Sequence, residues 1–184
     1  MDQKKAGRED ELAGEFAYIT GASSGIGKAA ARRLAQAGAV VAGVARTAAG
    51  LEQTRLEIHQ WVGEDRFLPL VGDVTQECEV AGTFQKAVDE FGRVDMVIAN
   101  AGSMRVADLQ ETSLDLWEQM FAVLSRGVFL TARAAFRHWI GEEIAGRLVI
   151  TSSKNAVAPS PGASAYAADK AAAQHLARCL AEEG

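Results

Sequence analysis

The sequence predicts an α/β protein: one domain built on a doubly wound parallel sheet, with helices on both faces. Three observations carry that expectation. Short β-branched runs alternate with longer helical patterns along the chain, as right-handed β–α–β crossovers require. The strand candidates are nearly continuous in apolar residues, as in Val-Asp-Met-Val-Ile-Ala over 94–99, which indicates burial on both faces and parallel pairing. A length of 184 residues suits one domain of ordinary size.

The elements follow in order. Phe16 to Ile19 is the first strand, and Gly25 to Ala37 reads as a helix that Gly38 stops. Val40 to Val44 is the second strand, with its helix over Ala48 to Trp61. Phe67 to Val71 is the third, followed by a helix near Gln76 to Phe91 closed by Gly92. Val94 to Ala99 is the fourth strand, and a long helical pattern runs from Ser113 to Ile140. Arg147 to Thr151 is the fifth strand, and Ala165 to Glu183 is an alanine-rich last helix.

Composition narrows the function classes. Hydrophobic residues make up 48% and charged residues 23%, the balance of a globular protein. The net charge of −5, from 19 basic and 24 acidic residues, argues against nucleic acid or an anionic membrane as a partner. It leaves room for a local cationic pocket. Cys78 and Cys179 fit no metal-ligand spacing and read as buried or idle thiols of a reducing cytosol, not as a disulfide. His59, His138 and His175 lie on separate predicted helices, so packing or surface roles are expected and no metal is. The charged N-terminal tail, residues 1–14, lacks the apolar core of a signal peptide. No run approaches the ~18 apolar residues of a membrane span, so a cytoplasmic location is expected.

Directly after the first strand stands Thr20-Gly21-Ala22-Ser23-Ser24-Gly25-Ile26-Gly27, and a helix follows at once. Glycines there permit backbone geometry that a Cβ forbids. They also bring free N–H groups at a helix N-terminus against a phosphate. A plain tight turn satisfies the same residues, but the position between strand and helix favours the nucleotide.

The spacing G-x-x-x-G-x-G, preceded by threonine, differs from the G-x-G-x-x-G fingerprint and resembles the motif of the short-chain dehydrogenase/reductase family. Further residues carry the same resemblance. Gly72-Asp73-Val74-Thr75 stands where the family contacts adenine, although Asp and Thr also cap helices well. Asn100-Ala101-Gly102 matches a signature after strand four, with Ala99 where a second asparagine often stands. Tyr166-Ala167-Ala168-Asp169-Lys170 puts tyrosine and lysine on one helix face, where an ammonium favours the tyrosinate. Ser153 stands thirteen positions before the tyrosine (166 − 153 = 13), after strand five, as the family's catalytic serine does.

The resemblance implies a Rossmann-type sheet of five strands in the order 3-2-1-4-5 over residues 15–184. It implies hydride transfer between a nicotinamide cofactor and a carbonyl or secondary alcohol, with a small molecule as the partner. Tyr166 would be general acid or base, Lys170 would lower its pKa and hold the nicotinamide ribose, and Ser153 would stabilise charge on the substrate oxygen. Gly21, Ser23, Ser24, Gly25, Ile26, Gly27, Arg46, Asp73, Val74, Asn100, Ala101 and Gly102 would bind the cofactor together with Tyr166 and Lys170. Strand two ends in Ala45-Arg46 without the acid that binds a ribose 2′-OH. A guanidinium there suits a 2′-phosphate, so NADP(H) is preferred and NAD(H) is the lesser alternative. The helices over 113–140 and 165–183 are faces the family uses to assemble. Their small residues, such as Ala132, Ala135 and Ala171 to Ala173, allow close approach, so a homodimer or homotetramer is expected.

The sequence also departs from the family. Leu124 stands where its tetrad carries an asparagine, so a proton relay either runs elsewhere, for instance through Ser125, or is impaired. The family's sixth strand, substrate-covering segment and seventh strand have no counterpart before Gly184, which leaves strand five as a sheet edge. Residues 151–184 further resemble the dehydrogenase half of bifunctional rhamnulose-phosphate aldolase/dehydrogenases, which implies a small polar substrate. Two function classes stay open: an active oxidoreductase, and a non-catalytic or truncated, inactive nucleotide-binding protein.

Overall fold

A computed structural model describes residues 11–183. Its frame is one five-stranded parallel sheet in the order β3-β2-β1-β4-β5, as the sequence implies. The strands are β1 (Phe16–Thr20), β2 (Val40–Ala45), β3 (Phe67–Val71), β4 (Met96–Ala99) and β5 (Arg147–Ile150). The central β1 pairs on both sides, Ala17 standing opposite Val41 and opposite Met96. Pro69 lies in β3 at one edge, where a residue without an N–H is tolerated.

Strand geometry sends alternate side chains to opposite faces, and both faces are covered. Ala17 and Ile19 pack with Ala31 and Ala35 of α1 (Gly25–Gln36) and with Leu51 and Ile58 of α2 (Ala48–Val62). Tyr18, Val44 and Val97 pack on the other side with Phe84 and Ala87 of α3 (Glu77–Phe91) and with Ala135 and Trp139 of α5 (Gly127–Gly141). Each fully buried large side chain, such as Leu51 or Ile58, contributes roughly 1.5–3 kcal/mol. Helix α3 stops at Gly92 as predicted, and α2 stops at a glycine that the sequence reading did not single out. Gly63 and Gly92 take left-handed φ values of 75° and 80° and donate their N–H to the carbonyls of His59 and Val88.

Three expectations need correction. The fourth strand begins at Met96 and not at Val94; at its entry the Asp95 carboxylate accepts from Phe16 N at 2.9 Å and pairs with Arg93 at 2.6 Å, while the Asp95 N–H donates to the Phe16 carbonyl at 2.8 Å. The pattern over 113–140 is no uniform helix. It comprises α4 (Leu114–Phe121), a π turn (Ala122–Arg126) and then α5. Of the buried-or-idle reading of the cysteines only burial fails: both are free, as expected, but exposed. The last helix, α6 (Ser164–Glu183), is close to its predicted span, and among the described residues β5 pairs only with β4. Most of the charged N-terminal tail lies outside the described residues. Its described end is tied down by a Leu12 N–H donating to the Ala37 carbonyl at 2.7 Å.

Candidate functional site

All five strands point their C-terminal ends at one rim, and the glycine turn stands at its centre. Gly21 adopts φ +71° and Gly25 φ +55°, values that a Cβ would strain. A Cβ on Gly27 would lie 2.3 Å from the Gly21 carbonyl oxygen and 2.5 Å from Asn100 Nδ2. Only hydrogen there lets α1 start so close to the turn. Ser24, which precedes the helix, makes no side-chain cap, so the first N–H groups of α1 have no capping side chain. An anion is the natural complement of that arrangement.

A hydrogen-bonded knot ties three strand ends together beside this turn. The Thr20 hydroxyl oxygen accepts from the N–H of Asn100 and of Ala101, both at 3.0 Å. Asn100 Nδ2 donates to the Thr20 carbonyl at 3.1 Å, and its Oδ1 accepts from Thr151 Oγ1 at 3.1 Å. At the far end Asp73 Oδ1 accepts from Thr75 N at 2.9 Å, while Asp73 N donates to Glu79 Oε2 at 2.8 Å. Asp73 therefore does close a turn, although the residue at the N-cap of α3 is Gln76.

Tyr166 and Lys170 project from the first turns of α6 into the same cleft. Lys170 is 4% exposed, and its ammonium donates to the Thr151 carbonyl at 2.6 Å. Burial pushes its pKa below the ordinary lysine value. The cleft holds about 560 Å³ and unites Gly21, Ser23, Ser24, Gly25, Ile26, Arg46, Asp73 and Val74 with Asn100, Ala101, Gly102, Tyr166 and Lys170. Arg46 is exposed on its wall and joins none of the ion pairs among the described residues. Of the predicted residues, Gly27 supports the cleft from behind. Ser153 sits next to the cleft wall formed by its neighbour Ser152, and its hydroxyl accepts from Asn155 N at 3.2 Å.

Leu124 is completely buried in the π turn and reaches the cleft beside Tyr166. It packs with Met120 and Ala165, which makes that side of the cleft apolar. Sequence reasoning missed the parts played by Thr20, by the Thr151 carbonyl and by Asp169, whose carboxylate accepts from Ser125 Oγ at 2.6 Å. The three histidines behave as expected. His59 lies beside Asp65 at the surface, His138 accepts from Val94 N at 3.1 Å, and His175 is exposed. Among the described residues no cluster offers a metal site, and no helix is long and apolar enough to cross a membrane.

A glycine turn, an open helix N-terminus and a Tyr–Lys pair meet at the carboxyl ends of a doubly wound sheet, the place where that architecture takes nucleotide ligands. The profile of the short chain dehydrogenase family matches residues 15–184, and the chain belongs to that family. It is 39% identical over 176 residues to the oxidoreductase YuxG of Bacillus subtilis, a match covering 96% of this chain and 26% of YuxG. It is 31% identical to glucose 1-dehydrogenase of Gluconobacter oxydans, covering 95% of this chain and 65% of that protein. The chain thus spans just under two thirds of one relative and about a quarter of the other.

Among solved structures, a short-chain type dehydrogenase/reductase from Mycobacterium marinum superposes with TM-score 0.89 at 36% identity, covering 96% of this chain and 71% of that one. The 3-ketoacyl-(acyl-carrier-protein) reductase of Brucella melitensis, solved with NADH, gives 0.86 at 30% identity, covering 94% and 70%. An alcohol dehydrogenase of Thermococcus sibiricus, solved with 5-hydroxy-NADP, gives 0.86 at 33%, covering 92% and 71%. Both cofactor types thus occur among its structural neighbours.

Proposed function

We propose that residues 15–184 are the cofactor-binding and catalytic portion of an NADP(H)-dependent oxidoreductase acting on a carbonyl or secondary alcohol, with residues 1–14 a charged tail. The observation that carries this reading is the convergence of Tyr166 and the buried Lys170 on the cleft that holds the glycine turn. The fit to a dinucleotide rests on Gly27, whose missing Cβ keeps the turn and helix close enough to cradle a phosphate. The bound nicotinamide supplies or accepts the hydride.

The chain's own residues do the rest. The first N–H groups of α1 hold the pyrophosphate, and Arg46 neutralises the 2′-phosphate. Lys170, anchored on the Thr151 carbonyl, directs its remaining N–H groups at the ribose from one helical turn beyond Tyr166. Tyr166 passes its proton to the substrate oxygen in reduction and takes it back in oxidation. Ser153 keeps its hydroxyl proton available while its oxygen accepts from Asn155, and so donates to the same substrate oxygen. The protein is proposed to work in the cytoplasm as a homodimer or homotetramer. The exposed Trp117, Phe121 and Phe129 on α4 and α5 support that assembly.

Calorimetric titration of the chain with NADPH and NADH tests the reading. Tighter NADPH binding is expected, with a loss of about tenfold in Arg46→Ala and little change for NADH. Equal affinity for both in the parent chain would refute the assignment of Arg46. A second reading, a nucleotide-binding protein without turnover, is favoured by Leu124 at the asparagine position. A carbonyl screen with Tyr166→Phe as control separates the two: NADPH binding without turnover in the parent selects the second.

A further inference from the structure

The π turn needs an explanation. In it the Gly127 N–H reaches back five residues to the Ala122 carbonyl, where an α-helix would bond four back. Such a turn has poorer hydrogen-bond geometry than the α-helix around it, and it persists when its surroundings favour it. Two neighbours in the turn do so in different ways. Leu124 fills the apolar space against Met120, Ala165 and Tyr166. Ser125 donates to Asp169 Oδ1 at 2.6 Å, within the range of a hydroxyl bonded to an ionised carboxylate.

Asp169 is 5% exposed, and its other described neighbour of like charge is Glu118 on α4. An ionised carboxylate so placed is unfavourable unless bonded. Burial and Glu118 indeed push its pKa up, while Ser125 pulls it down. It directly precedes Lys170, whose ammonium meets the Thr151 carbonyl. One turn of α6 is therefore gripped twice, by the π turn at Asp169 and by the end of β5 at Lys170.

We propose that Ser125 and Asp169 are positioning residues: their buried hydrogen bond seats the catalytic helix on the π turn and so sets the Lys170 ammonium on the Thr151 carbonyl. The pair does by a direct bond what no polar group at position 124 is present to do, since leucine can tether neither water nor lysine. Its value to catalysis rests on the proposed role of Lys170, but the geometric claim needs neither cofactor nor substrate.

The test follows the titration of Lys170 by the ¹³Cε resonance of labelled lysine in the cofactor-free chain, assigned with Lys170→Arg. In the parent chain Lys170 titrates below the range of a solvated lysine. In Ser125→Ala, helix α6 loosens and the midpoint rises toward that range; Ser125→Thr restores it. Asp169→Asn keeps an acceptor for Ser125 and leaves the midpoint low. The double variant S125A/D169L removes both polar partners and leaves no unpaired buried charge, so it stays folded and shows the same rise as S125A. A midpoint unmoved in the folded double variant overturns the proposal. A rise in D169N equal to that in S125A also overturns it, because charge and not the bond would then matter. Failure to bind NADPH would count only against the functional reading.

Discussion

Replacing Thr20 by valine keeps the shape of a side chain that is 1% exposed and removes a single oxygen. That oxygen accepts from two backbone N–H groups, those of Asn100 and Ala101, each at 3.0 Å. Both donors lie just beyond β4 in partly buried surroundings, so each loses its partner without gaining full access to water. A buried donor left unpaired costs roughly 1–3 kcal/mol; taking the low end for partial burial, the pair comes to about 2–3 kcal/mol. For a domain of this length each kcal/mol moves the melting point by roughly 2–4 °C, so Thr20→Val should melt about 5–10 °C lower. Thr20→Ser supplies the control. It keeps the acceptor and gives up one methyl, worth about 0.8 kcal/mol. Melting followed by circular dichroism or calorimetry, with urea unfolding alongside, measures both. The reasoning is refuted if the valine variant melts with or above the serine variant, since the methyl and not the oxygen would then be the stabilising group.

Three further outcomes are expected. Gly27→Ala drives a Cβ to 2.3 Å from a backbone oxygen; overpacking of this kind costs about 1–3 kcal/mol, and because the glycine turn itself must open, NADPH affinity in calorimetry should fall more than stability does. Gly146→Ala places a Cβ 2.0 Å from Trp139 Cδ2, while the indole N–H is held by the Val94 carbonyl at 2.7 Å, so urea unfolding should report a loss of about 1–3 kcal/mol with NADPH affinity unchanged in the folded chain. Lys170→Met should remove the alkaline pH dependence that Lys170 gives the stability of the cofactor-free chain. Burial lowers the lysine's folded pKa, so at pH values below it the charged form is a net penalty in the folded state. Wild-type stability therefore rises as pH climbs from the folded pKa toward the unfolded value near 10.4. The methionine variant lacks that slope, and pH-resolved melts check the difference.

Asp169 has the opposite sign. Its folded pKa is raised by burial, so it favours the folded chain most at low pH, and the contribution falls as pH rises from the unfolded value near 3.9 through the folded one. Asp169→Asn should remove that acid-side slope without lowering the melting temperature at neutral pH. A variant that melts well below wild type at pH 7 would mean that the ionised carboxylate is a net stabiliser after all.

Much of this protein is legible in its sequence, because the informative signals are local. The apolar runs of β1, β2 and β4 and the stop at Gly92 depend on residues a few positions apart. So does the glycine turn, since a strand end, a φ above zero and a helix start all fall within Thr20–Gly27. Tyr166 and Lys170 are visible as a pair because a helix puts i and i+4 on one face whatever surrounds it.

Tertiary structure alone decided what depends on contacts across the chain. Nothing in Ala122–Arg126 distinguishes it from the helix around it, and the π turn exists only where Leu124 and Ser125 meet α6. Thr20 reads as one letter of a motif, yet its hydroxyl serves amides 80 and 81 residues away. Asp169 looks like a solvated helix residue until Ser125, 44 positions earlier, is folded against it. The Thr151 carbonyl that anchors Lys170 has no side-chain signature at all. Sequence determined which stretches become strands, helices and turns, because backbone sterics and apolar periodicity act over a few residues. Only the folded chain determined where lone donors and acceptors find partners, because a buried hydrogen bond depends on distance in space and not on separation along the chain.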